Sequence, residues 1–194
     1  MRIDHVIYST SDLDAAARRV EEAVGVAAVP GGRHEGLGTH NRIVPLDDGT
    51  FIELLAIADP GEASSSPVAA ALQAAISARE GLLGWAIAVP DVDEVAARLG
   101  TQMTTISREG MTARLTGVAE SLREPYLPFF IERPADPETN PVPSGAAEIT
   151  WIEVGGDAQR LERWLGDAEL PVRIVGEAPS VRAIGVGERE LRTA

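Results

Sequence analysis

Phe-Ile-Glu occurs twice in the chain, at Phe51-Ile52-Glu53 and at Phe130-Ile131-Glu132, an offset of 79 positions. Each copy sets a carboxylate among large apolar residues in a strand-like segment. An ionised group is costly to bury there unless a metal ion, an arginine or a ligand satisfies it. His5 follows the same logic on a first strand, in phase with Ile3 and Ile7, while Val6 and Tyr8 point to the opposite face. Histidine and glutamate are common ligands of divalent zinc, iron, manganese and nickel. Three protein ligands with open positions is the arrangement that metal catalysis needs. The competing reading makes His5 a core histidine bonded to backbone, and Glu53 a strand-edge carboxylate facing water or paired with Arg42.

The remaining candidates are few. His40, in Gly38-Thr39-His40-Asn41-Arg42, is a ligand, a general base or a substrate-binding group, or else a polar strand-entry residue. His34 sits among glycine and charge and is expected to face solvent. Arg42 and Arg114 could hold an anionic substrate or form a solvated face. Tyr8, Tyr126 and Trp85 each offer an apolar body and a donor, suited to a cavity wall, with core packing the alternative for Trp85. Gly31-Gly32 lacks the spacing and the lysine of a phosphate loop, and no Gly-x-Ser-x-Gly nucleophile turn is present.

The elements that position these groups repeat. The 79-residue offset also carries Asp12-Leu13-Asp14 onto Asp91-Val92-Asp93, and it sets His5 against Gly84. Two segments sharing one offset point to internal duplication. The first copy, 1–58, reads as a strand over 3–9 and an alanine-rich helix over 13–24, capped by Ser11-Asp12 and stopped by Gly25. A glycine-rich stretch with a weak strand follows, then strands over 39–46 and 50–57 about an Asp47-Asp48-Gly49 turn. A loop and helix over 59–81 connect the copies, with Ser66-Pro67 opening the helix. The second copy, 82–133, repeats the order: a strand over 82–89, a helix over 91–99, weaker strands near 103–107 and 111–117, and a last strand over 127–132. A proline-rich linker is expected over 134–145. Residues 146–194 then give a strand, a helix over 157–165 and three more strands, as a degenerate third unit or a cover for the sheet.

Of the 194 residues, 44% are apolar and 24% charged, the pattern of an ordinary globular protein. A net charge of −13 argues against nucleic acid or anionic membrane as partners. The absence of cysteine excludes disulfides, thiolate metal sites and cysteine nucleophiles. No signal segment precedes the first strand and no apolar run is long enough to span a bilayer, so a cytoplasmic location is expected.

Taken together, duplicated β-α-β-β-β modules with His on the first strand and Glu on the last resemble the vicinal oxygen chelate superfamily of glyoxalases, bleomycin-resistance proteins and dioxygenases. Asp4-His5-Val6-Ile7, Pro30-Gly31-Gly32-Arg33-His34, Gly36-Leu37-Gly38-Thr39-His40-Asn41, Phe51-Ile52-Glu53-Leu54 and Leu127-Pro128-Phe129-Phe130-Ile131-Glu132 are similar to its glyoxalase-like subgroup. The resemblance implies an α+β fold in which a curved mixed sheet surrounds a cavity. It also implies a divalent metal (Zn, Ni, Mn or Fe) held at His5, Glu53, position 84 and Glu132. Gly84 cannot ligate through a side chain, which leaves His5, Glu53 and Glu132, with water or His40 completing the site. Glu53 or Glu132 would serve as base, His40 would position substrate, and Arg42, Tyr8 and Trp85 would contact it. A lyase, isomerase or dioxygenase acting on a small oxygenated molecule is expected. The alternative is a metal-free protein that sequesters a small molecule, as monomer or homodimer.

Overall fold

The structure, a computed structural model, describes residues 1–108, 111–133 and 145–193. The first half runs β1 (Arg2–Ser9), α1 (Leu13–Val24), β2 (Val29–His34), β3 (Thr39–Pro45) and β4 (Phe51–Ile57). After α2 (Pro67–Ala78) the second half runs β5 (Gly81–Ala88), α3 (Val92–Leu99), β6 (Met103–Arg108), β7 (Met111–Thr116), α4 (Val118–Arg123) and β8 (Phe129–Glu132). The expected linker over 134–145 lies, apart from Gly145, outside the described residues. The chain ends in β9 (Ile149–Gly155), α5 (Ala158–Leu165), β10 (Val172–Ile174), β11 (Ser180–Val186) and β12 (Arg189–Arg192).

Local chemistry explains the repeated helices. The side chain of Asp12 accepts from the N–H groups of Asp14 and Ala15 at the start of α1, and Asp91 does the same for Asp93 and Glu94 at α3. Each satisfies donors that the first helical turn leaves unpaired. Gly25 and Gly100, with φ of 76° and 68°, end the two helices in the left-handed conformation that costs glycine nothing.

Eight strands form one mixed sheet in the order β2-β3-β4-β1-β5-β8-β7-β6. β1 pairs parallel with β4 and antiparallel with β5, so the two halves join along β1 and β5. The sheet curls until its edges approach, and the Glu35 N–H donates to the Ser107 carbonyl over 3.3 Å. That contact protects edges that would otherwise offer unpaired backbone groups.

The two faces of the sheet bury different partners. Val6, Tyr8, Ile52, Leu54, Trp85, Ile87 and Phe130 pack with α1, α3 and the C-terminal unit in one large core. Ile7, Leu55, Leu83, Ala86, Leu115, Phe129 and Ile131 face the inside of the curl, where α2 and α4 lie. The C-terminal unit is a four-stranded sheet, β10-β9-β11-β12, with α5. It acts as the cover: Ile152, Val154, Val181 and Ile184 join the large core. The Trp164 indole N–H donates to the Pro128 carbonyl over 2.8 Å, and Arg160 grips Glu124 with two hydrogen bonds. No helix among the described residues is long and apolar enough to cross a membrane.

Candidate functional site

A cavity of about 150 Å³ fills the inside of the curl. Ile7, Leu55, Leu83, Leu115, Phe129 and Ile131 from the sheet, with Val68 and Leu72 of α2 and Val118 and Leu122 of α4, give it apolar walls. The ionisable and amide groups gather in the first half, where His5, His34, Thr39, Asn41 and Glu53 face the same space with Arg133 at the rim of the group, while the second half adds only the hydroxyls of Thr104, Thr112 and Ser121.

A β-bulge makes the centre of this group. The β1–β5 register shifts between Ile3 and His5, so Asp4 is the extra residue. Ile3 therefore joins the large core with Val6, instead of sharing a face with His5 as strict alternation predicts. Asp4 thereby reaches the ring of its neighbour: its Oδ1 accepts from His5 Nδ1 at 2.6 Å. Arg133 clamps the same carboxylate through Nε and Nη2 at 2.8 and 2.6 Å. Burial alone would raise the Asp4 carboxyl, but the hydrogen bonds from Arg133 and His5 outweigh it and hold it well below the usual carboxylate range. Burial likewise works against the Arg133 charge, and Asp4 and Glu53 more than offset it, so that guanidinium stays protonated.

With its Nδ1 proton directed to Asp4, His5 turns Nε2 into the cavity, 3.7 Å from Glu53 Oε2. The ring is fixed by stacking on Phe51, centroids 4.7 Å apart, and by the edge of Phe129 at 5.5 Å. The other carboxylate oxygen, Oε1, accepts from Asn41 Nδ2 at 2.5 Å and lies 3.4 Å from His34 Nε2. His34 Nδ1 is 2.9 Å from the Thr39 hydroxyl, its partner across the β2–β3 ladder. The amide of Asn41 is oriented by backbone, since its Oδ1 accepts from the Gly32 N–H over 2.8 Å. A Cβ at Gly31 would come within 1.9 Å of that oxygen, so the glycine pair exists to admit Asn41. Glu53 thus sits between two imidazoles, each with its far nitrogen already held.

The expected site residues divide. His5 and Glu53 come together. Glu132 lies on the other face, where Oε2 accepts from the Val92 N–H at the start of α3 over 3.0 Å and pairs with Arg114 at 3.4 Å. His40 and Arg42 alternate away from Asn41 toward the helix side, and Arg42 pairs with Asp14 of α1. The Tyr8 hydroxyl accepts from Arg19 over 2.9 Å, and the Trp85 indole donates to the Tyr126 carbonyl over 3.1 Å inside the large core. His34, expected to face solvent, is buried in the cavity. Asp4, Asn41 and Arg133 carry no sequence signal of their own, although Asn41 lies in the Gly-Leu-Gly-Thr-His-Asn run.

Strand register explains Glu132. Bulges at Asp4 and Leu83 keep β1 and β5 at the 79-residue offset, so Ile7 corresponds to Ala86 and His5 to Gly84. Ile7 lies beside Glu53, but Ala86 lies beside Phe129. The helix of the second half is shorter, eight residues against twelve, and the offset has drifted before β8. Phe129 is therefore the counterpart of Glu53, and the second Phe-Ile-Glu is out of step with the first. Of the four ligand positions implied by the resemblance, two carry donors facing the cavity. Among the described residues no group of three or more His, Asp or Glu side chains is disposed to hold a metal ion. These side chains do not fit the expected metal centre.

A family described as the glyoxalase-like domain matches residues 3–169, most of the chain, and the protein belongs to it. No curated protein matches the sequence. Among solved structures, a hypothetical protein from Staphylococcus aureus superposes with a TM-score of 0.70 at 13% identity, covering 93% of this chain and 87% of its own. Coverage of that extent includes the C-terminal unit. Methylmalonyl-CoA epimerase from Streptomyces coelicolor, solved with 2-nitronate-propionyl-CoA, gives 0.51 at 21% identity over 70% of this chain and 99% of its own. The epimerase from Mycobacterium tuberculosis gives 0.50 at 19% over 71% and 89%. These likenesses show the same curled α+β fold.

Proposed function

We propose that the protein is an enzyme of proton transfer acting on a small oxygenated substrate, an isomerase or lyase, with Glu53 and His5 as its acid–base pair. The single observation behind this reading is the linked series Arg133–Asp4–His5–Glu53 at the charged end of a mostly apolar cavity. A buried carboxylate beside an oriented imidazole is the arrangement that moves a proton to or from a bound substrate. Asp4, fixed as an anion, keeps the proton on Nδ1 and leaves Nε2 as the atom that accepts or returns one. Glu53 takes the proton from the reacting carbon, and Asn41 and His34 hold the other carboxylate oxygen so that the base does not rotate away.

The divalent metal expected at His5, Glu53 and Glu132 loses its third ligand to the helix face, where Glu132 accepts from the Val92 N–H. A metal-free sequestering protein is the second reading, and the side-chain-free wall at Gly84 favours it, since no atom lies within 4 Å of a Cβ built there. Incubating the protein in deuterated water with a panel of small hydroxyketones and aldehydes separates the readings. The acid–base reading expects carbon-bound protons to exchange, seen by NMR, and to go on exchanging after dialysis against a chelator. Binding without exchange anywhere in the panel supports sequestration, and exchange that a chelator abolishes restores the metal.

A further inference from the structure

The cavity also limits what it can accept. Among the described residues Arg133 is the only arginine or lysine lining it, and Asp4 already grips that guanidinium at 2.6 and 2.8 Å. The polar end therefore holds two carboxylates, Asp4 and Glu53, against one guanidinium. Even with one histidine protonated it is no more than neutral, and a buried anion without a matching charge is strongly disfavoured. The hydrogen-bonding character points the same way. Glu53 Oε2 and His5 Nε2, 3.7 Å apart, both present acceptors when the ring proton is on Nδ1. One donor on a ligand can reach both. Beyond them the walls are mainly aliphatic and aromatic, with three hydroxyl side chains, Thr104, Thr112 and Ser121, among them, and a mostly apolar cavity of roughly 150 Å³ is of the size that accepts benzene.

We infer that the ligand is a small uncharged molecule that inserts an apolar group about the size of a benzene ring and presents a hydroxyl to Glu53 and His5, and that carboxylates and phosphates are rejected. This rests on the cavity end assigned above as the site. It also separates the protein from its structural neighbours solved with acyl-CoA ligands, whose thioester carries an anionic tail.

The test is ligand-observed NMR titration with three probes of one shape: benzyl alcohol, benzoate and toluene at pH 7. The alcohol is expected to bind at least tenfold more tightly than benzoate, and Glu53→Gln is expected to shrink that ratio severalfold by removing the repelling charge. Gly84→Leu fills the cavity from a strand position with open space before it, and is expected to abolish binding of the alcohol. Benzoate binding as tightly as the alcohol overturns the inference, as does alcohol binding that survives Gly84→Leu or the absence of binding by every probe. Solvent-deuterium exchange on the hydroxyketone panel without alcohol selectivity would leave the proton-transfer reading intact and remove only the ligand class. Alcohol-selective binding with no exchange would do the reverse.

Discussion

At the scale of single residues, the site depends on how one buried carboxylate is used. Asp4 has no exposed surface, and its hydrogen bonds from Arg133 and His5 keep it ionised. Asp4→Asn leaves Arg133 half-buried without its partner and removes the anchor from His5 Nδ1. Breaking such a pair by removing one member is expected to cost about 3 kcal/mol at pH 7. The pH dependence follows from the direction of the shift. A carboxyl whose folded value is depressed supplies stability that is complete above its unfolded value, here 3.8, and fades as pH falls below it. The gap between wild type and Asp4→Asn in urea unfolding should therefore be full at pH 7 and narrow at pH 3. An equal gap at both would mean that the carboxylate is not held as described. Little of this was legible in sequence. His5 and Glu53 stood out because a polar group on an apolar strand needs a reason, whereas Asp4 is recruited only by a bulge that no local pattern marks. His34 was misread because glycines around it resemble an exposed loop, when they in fact allow Asn41 and the β2–β3 turn to close over it.

At the scale of elements, the repeated order of strand, helix and three strands was readable from periodicity and caps. Asp12 and Asp91 cap their helices and Gly25 and Gly100 end them, as the residues alone suggest. Short α4 was missed, since six residues give too little periodicity to separate it from a strand end. Strand register is the feature that the sequence conceals most. Alternation fixes which residues share a face only until a bulge intervenes, and two bulges lie in the central β1–β5 pair. Gly84 shows what the second half has given up: it stands opposite Ile7 with open space where a side chain would project. Glycine inside a strand is entropically unfavourable, so Gly84→Ala is expected to stabilise the fold by about 0.5 kcal/mol. It should also weaken ligand binding, because the added methyl projects into the cavity. Thermal unfolding and probe titration on the same variant check both signs. A destabilised variant would mean that the space in front of Gly84 is already filled.

At the scale of the whole molecule, a duplicated chain has divided its labour. Both halves build the curl, but the first supplies His5, His34, Asn41 and Glu53, and the second supplies a wall of Leu83, Leu115, Phe129 and Ile131 with Arg133 at its end. The outer face of the sheet, which carries Trp85 and Phe130, is buried by the helices and the C-terminal unit. The inner face lines the cavity of the candidate site. The two glutamates of the repeated Phe-Ile-Glu are equivalent in sequence and opposite in role: Glu53 faces the cavity, and Glu132 accepts from the first turn of α3. Glu53→Gln and Glu132→Gln, compared side by side for solvent-deuterium exchange and for stability, test this division most directly. Glu53→Gln is expected to keep the fold and lower exchange about a hundredfold, while Glu132→Gln is expected to leave exchange within about twofold and lose about 1 kcal/mol of stability with its contact at the helix end. Exchange abolished by Glu132→Gln, or unchanged by Glu53→Gln, would contradict this division.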